Sequence, residues 1–165
     1  MKRIMLAVSM ALALGAGAFA DHPAGLGVGL VAVSDYGSAG MGSQLGLSLK
    51  LRGIPIFWGA HLSFNANYLG LGVTGDRYFN DEGLIREKSF KLDWFLGLGG
   101  YANLAMSSSP SASLGARLPI GLSWHPTREF EVWLDIAPSL GIGLSPLSFP
   151  NWGVPAEIGV RAWLK

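Results

Sequence analysis

His61 and Ser63 are two residues apart, the residue types a lipid hydrolase would pair for nucleophilic attack. Gly70-Leu71-Gly72-Val73-Thr74-Gly75 spells G-x-G-x-x-G, the glycine pattern that cradles a pyrophosphate. The three histidines, His22, His61 and His125, fall on separate segments and give no metal-ligand spacing. Zero Cys excludes disulfides, thiolate metal sites, cysteine nucleophiles and a lipid-modified N-terminal cysteine. The remaining chemistry lies in isolated charges: Lys50, Lys91, Arg117 and Arg161 against Asp76, Asp93, Glu131, Asp135 and Glu157. What these groups can do depends on the elements that carry them.

Composition narrows those elements. Of 165 residues, 24 are Gly and only 14% are charged, while half are hydrophobic. Average usage is about 7% Gly and about 25% charged. A disordered chain and a coiled coil are excluded. A net charge of +1 gives no electrostatic footprint for nucleic acid.

Lys2 and Arg3 precede an apolar run over residues 4–14, and Ala18-Phe19-Ala20 fits a cleavage site before Asp21. A secretory signal peptide over 1–20 is expected, leaving a single domain over 21–165. Loss of Lys2 and Arg3 leaves 10 basic against 11 acidic residues, a net charge of −1.

Beyond residue 21 the dominant period is two, the mark of strands with unlike faces. From Phe90, the residues Phe90, Leu92, Trp94, Leu96 and Leu98 oppose Lys91, Asp93, Phe95, Gly97 and Gly99. From Ala112, Leu114, Ala116, Leu118, Ile120 and Leu122 oppose Ser113, Gly115, Arg117, Pro119 and Gly121. From Phe130, Val132, Leu134 and Ile136 oppose Glu131, Trp133 and Asp135; near the end, Ile158 and Val160 oppose Glu157, Gly159 and Arg161. Shorter alternations around Leu45–Leu51, Trp58–Phe64 and Leu69–Val73, and a less regular one over residues 25–34, bring the number to eight. Connections are expected at 35–42, 52–55, 65–67, 80–89, 107–110, 125–129 and 145–151. Pro119 and Pro138 inside strands predict bulges or twists there.

The unbroken Leu, Ile and Val faces and the mixed Gly, Ser and charged faces point to a membrane barrel, apolar outside and polar inside. Inward glycines make room in a narrow eight-stranded interior for a few large side chains. Phe57, Trp58, Phe79, Phe90, Trp94, Trp124 and Phe130 gather near one end of such a meander. Phe64, Tyr68, Phe149 and Trp152 gather near the other, as paired interfacial girdles would. His61 and Ser63 then point inward, away from any lipid substrate, and the glycine pattern lies within a strand with no helix to follow.

The runs LGARLPIGLSW (114–124), FEVWLDIAPSLGI (130–142) and EIGVRAWL (157–164) carry a family resemblance. The chain resembles small eight-stranded bacterial outer-membrane β-barrels of the OmpA and OmpX type. In its last third it resembles an uncharacterised outer-membrane barrel family, at Arg117, Pro119, Gly121, Leu122, Ala137, Pro138, Gly159, Val160 and Arg161. The resemblance implies an all-β, antiparallel up-and-down transmembrane barrel in the bacterial outer membrane; it implies no activity. Such barrels usually end in an aromatic residue, whereas this chain ends Trp163-Leu164-Lys165.

The expectation is a non-enzymatic outer-membrane protein, mainly structural, with no cofactor, no metal and no open channel. Its partners would be outer-membrane lipids, the barrel-insertion machinery and periplasmic chaperones, with no nucleic acid, and it would be a monomer. The alternatives are a small pore or transport component and a lipid-modifying enzyme. A lumen ion-pair network is expected among Arg117, Asp135, Arg161, Glu131, Glu157, Asp93 and Lys91. A hairpin centred near Ser148 would set Asp135 opposite Arg161 and Glu131 opposite Lys165, with Arg117 diagonal to Asp135.

Overall fold

The computed structural model describes residues 25–39, 41–65, 68–87 and 90–164. The expected signal peptide over 1–20, and Lys165, lie outside the described residues. Ten strand segments form one antiparallel sheet: β1 (Leu26–Gly37), β2 (Ser43–Lys50), β3 (Phe57–Asn65), β4 (Tyr68–Glu87), β5 (Phe90–Met106), β6 (Ser111–Arg117), β7 (Ile120–Trp124), β8 (Phe130–Ile136), β9 (Ser139–Ser145) and β10 (Leu147–Leu164). The first and last strands pair along their lengths, from Leu26 opposite Leu164 to Gly37 opposite Gly153, which closes the ring.

The ten segments are eight staves. Both β6 and β7 pair with β5, and both β8 and β9 pair with β10. The breaks fall at the prolines, as expected from the sequence, because Pro cannot donate to a ladder. Neighbouring groups bridge the gaps: Gly97 N donates to Pro119 O at 2.8 Å, Leu118 N to Pro138 O at 2.9 Å, and Ala137 N to Pro155 O at 2.8 Å. The register therefore runs on across both breaks.

Three expected connections are shorter than the sequence suggests. The segment 80–87 belongs to β4, which runs with β5 as a long hairpin. Register shifts between Tyr78 and Asn80 and between Gly83 and Ile85 interrupt its alternation, which is why the period of two fails there. The expected connection at 145–151 contracts to Pro146, between β9 and β10. β1 extends to Gly37, into the expected connection at 35–42.

The faces divide as the alternation predicts. Leu30, Leu45, Leu134 and Ile158 are more than half exposed, while Glu131, Asp135 and Arg161 on intervening positions are 2–3% exposed. Val31 and Val33, which blur the pattern of the first strand, point inward and are buried. Among the described residues, charges at exposed strand positions are confined to β4 from Arg77 to Glu87.

Glycine sets how much the lumen holds. A β-carbon at Gly159 would fall inside the Trp133 indole, and one at Gly99 on the Asp76 carboxylate. At Gly121 it would meet the Phe95 ring at 2.6 Å and Asp135 Cβ at 2.5 Å. Each of these glycines lies beside a large inward side chain on an adjacent stave.

Candidate functional site

The lumen is built in two charged layers. In the first, Arg117 at the end of β6 reaches Asp76 of β4, Nε to Oδ1 at 3.2 Å, and Glu157 of β10, Nη2 to Oε1 at 2.5 Å. All three side chains are nine-tenths or more buried. The alternation that places Gly72 and Thr74 with Asp76 turns it inward, so its position was legible; its role as the second partner of Arg117 was not.

In the second layer Arg161 of β10 binds Glu131 of β8, Nη1 to Oε2 at 2.7 Å, and donates from Nη2 to Ser48 Oγ at 2.8 Å. Glu131 also accepts from Trp163 Nε1 at 3.0 Å and from Ser123 Oγ at 3.0 Å. The Arg161 guanidinium carbon lies 4.3 Å from the Trp133 ring centre, 4.7 Å from that of Phe57 and 5.6 Å from that of Trp163. Cation–π attraction and charge pairing thus act on one guanidinium.

A smaller group lies beside the turn at 125–129. Asp93 takes Lys91 Nζ at 3.4 Å and faces His125 Nδ1 at 3.4 Å.

The register changes all three expected pairings. The β8–β10 ladder sets Glu157 opposite Asp135 and Arg161 opposite Glu131. The turn is centred on Pro146 rather than Ser148, and a two-residue move of the centre shifts every partner by four. Asp135 therefore faces a like charge and Gly121, not Arg161. Among the described residues its Oδ1 has no hydrogen-bond partner, and no cation lies within ion-pair distance of its carboxylate. Arg117 reaches across the lumen to Asp76 and Glu157 instead of to Asp135.

The aromatic girdles need two corrections. Tyr68, expected at one interface, turns inward, where its hydroxyl accepts from Ser63 and donates to the Met41 carbonyl. Phe57 lies inside, 5% exposed, stacked on Tyr78 at 4.5 Å, which stacks in turn on Phe95 at 4.5 Å. Phe57 follows an irregular turn and precedes the outward Trp58, so its type alone could not distinguish girdle from core. This stack joins three neighbouring staves, β3, β4 and β5, on the lumen side, beside Asp76. The voids beside the Arg117 layer measure about 30 and 20 Å³, each room for about one water.

The residues with catalytic spelling stay apart. His61 Nε2 lies 3.4 Å from Thr74 Oγ1, while Ser63 Oγ donates to the Tyr68 hydroxyl at 3.1 Å. The glycine-rich hexapeptide lies within β4. Among the described residues no group of three or more His, Asp or Glu is placed to hold a metal ion.

No family model matches the chain, and no curated protein matches it. Among solved structures it is similar to Neisserial surface protein A, with a TM-score of 0.47 and 13% identity over 84% of this chain and 96% of that one. It is similar to the N-terminal β-barrel domain of Pseudomonas aeruginosa OprF, with a TM-score of 0.46 and 13% identity over 82% and 96%. A third is Ail, the attachment invasion locus protein of Yersinia pestis, with a TM-score of 0.41 and 11% identity over 85% and 97%.

Proposed function

We propose that the protein is an integral barrel of the bacterial outer membrane, non-enzymatic and mainly structural, with a lumen closed by its own side chains. The observation that carries this reading is the inversion of the two faces. A water-soluble barrel buries its apolar residues and exposes charge. Here the buried face holds Arg117, Glu131, Asp135, Glu157 and Arg161, and the exposed face is Leu, Ile and Val.

The dimensions agree with a bilayer. Outward apolar residues of β10 run from Trp152 to Leu164, roughly 40 Å of strand at about 3.3 Å per residue. At a tilt of about 35–45° this is roughly 28–33 Å of height, comparable to a hydrocarbon core of about 30 Å. Trp152 and Tyr36 make an edge contact, ring centres 6.0 Å apart, near one rim; Phe90 and Trp124 stack at 6.0 Å near the other. Aromatic residues favour both interfaces.

The closed lumen is supported by the buried Phe57–Tyr78–Phe95 stack and by the buried Arg117 and Arg161 layers. Planar-bilayer recording on the refolded protein tests it. No steady conductance above the bare bilayer is expected; a stable single-channel step would make the protein a small pore instead.

A further inference from the structure

One end of the barrel differs from the rest of the lumen. A cavity of about 570 Å³ opens there, at the mouth opposite the paired chain ends Leu26 and Leu164. Its volume falls within the roughly 300–1,000 Å³ of small-ligand sites. Seven of its lining residues are serines, and none is charged. The charged layer begins deeper, at Arg117 and Glu157, which do not line it.

The cavity has a floor. The connection from β1 to β2 folds over the lumen, where Ala39 N donates to Trp152 O at 2.8 Å and Asn103 Nδ2 donates to Ala39 O at 3.4 Å. The Tyr68 hydroxyl donates to the Met41 carbonyl. The wall formed by β6, β9 and β10 is opened by irregular pairing on both edges of β9. The β6–β9 register shifts between Ala112 and Ser113, and the β9–β10 register shifts between Ser148 and Asn151. Bulges at a barrel rim re-aim side chains and end pairing.

We infer that this vestibule is a binding site for an uncharged, hydroxyl-rich ligand, that is, a neutral saccharide. A serine hydroxyl donates one hydrogen bond and accepts others, so a ring of serines matches a ligand whose own groups do both. Among the described residues the hydroxyls of Ser111, Ser113 and Ser148 make no hydrogen bond to the rest of the barrel; only their backbones pair, in the ladders. Met41, Ala105 and Pro146 provide carbon surface against which the C–H face of a sugar ring packs. An ionic ligand would enter without a counter-charge and lose its hydration.

The test uses the folded barrel in a zwitterionic detergent without a sugar headgroup. Amide NMR spectra are followed while maltotriose, and separately sodium sulfate, is added. Saturable shifts confined to Ser38, Asn103, Ser113 and Ser148 are expected with maltotriose at millimolar concentration, and none with sulfate. The double variant Ser113→Leu/Ser148→Leu, checked for an intact heat-modifiable fold, should weaken binding at least tenfold. A second arm places the protein in phosphatidylcholine vesicles with or without a neutral-sugar glycolipid. Shifts at the same residues there would identify the sugar of a membrane lipid as a source; shifts with maltotriose alone would identify a free saccharide. Absence of saturable shifts in both arms, equal shifts with sulfate, or unaltered binding in the folded double variant would overturn the assignment.

Discussion

Arg117 is the residue on which the first lumen layer depends. Its guanidinium is the cation within ion-pair distance of both Asp76 and Glu157. Removing one member of a buried ion pair costs about 3–5 kcal/mol, because the partner is left charged and unpaired. Arg117→Met leaves two such carboxylates, so its loss of folding free energy should reach at least that range in urea titration of the refolded barrel. Asp135 should behave in the opposite way. It faces Glu157 across the β8–β10 ladder and has no ion pair among the described residues, so neutralising it removes repulsion. Asp135→Asn is expected to melt at the same temperature as the parent or higher. A melting temperature several degrees lower would show a favourable contact at Asp135. The sequence made both residues legible as inward charges, because alternation decides the face. It could not pair them, since pairing depends on register, and register depends on where one turn is centred.

At the scale of elements, the turn at Pro146 and the breaks at Pro119 and Pro138 decide how far the strands are legible in the sequence. Pro119 and Pro138 announced breaks in two strands, and the breaks are there. Turn-forming residues throughout 145–151 put the expected β9–β10 turn two residues later than the ladder does, and only the ladder shows that Leu147 already pairs with Leu144. The β4–β5 hairpin is longer than its alternation suggests for a different reason: two register shifts erase its period, so a paired strand reads as a charged loop. Inward glycines were legible as a class, but their partners were not. Trp133 on β8 occupies the space that Gly159 leaves on β10, where a side chain would meet the indole. Gly159→Leu must displace that ring from the Arg161 guanidinium. The expected result is loss of the folded, heat-modifiable form on detergent gels, while Ile158→Leu on the outward face of the same strand folds normally.

For the whole molecule, the fold class and the inward or outward sense of most side chains followed from composition and period two. The serine vestibule did not, because it is assembled from five separate rim segments and a connection folded over the lumen. The central claim is that the exposed Leu, Ile and Val faces meet lipid. The absence of cysteine makes this directly measurable, since single cysteines can be introduced for spin labels without background. Labels at Leu47, Leu134 and Val160, on three different staves, would be read in bilayers for collision with oxygen and with a water-soluble nickel chelate. All three are predicted to be accessible to oxygen and shielded from nickel. Free nickel access at these positions in a folded barrel would contradict the account, because the apolar faces would then be in water.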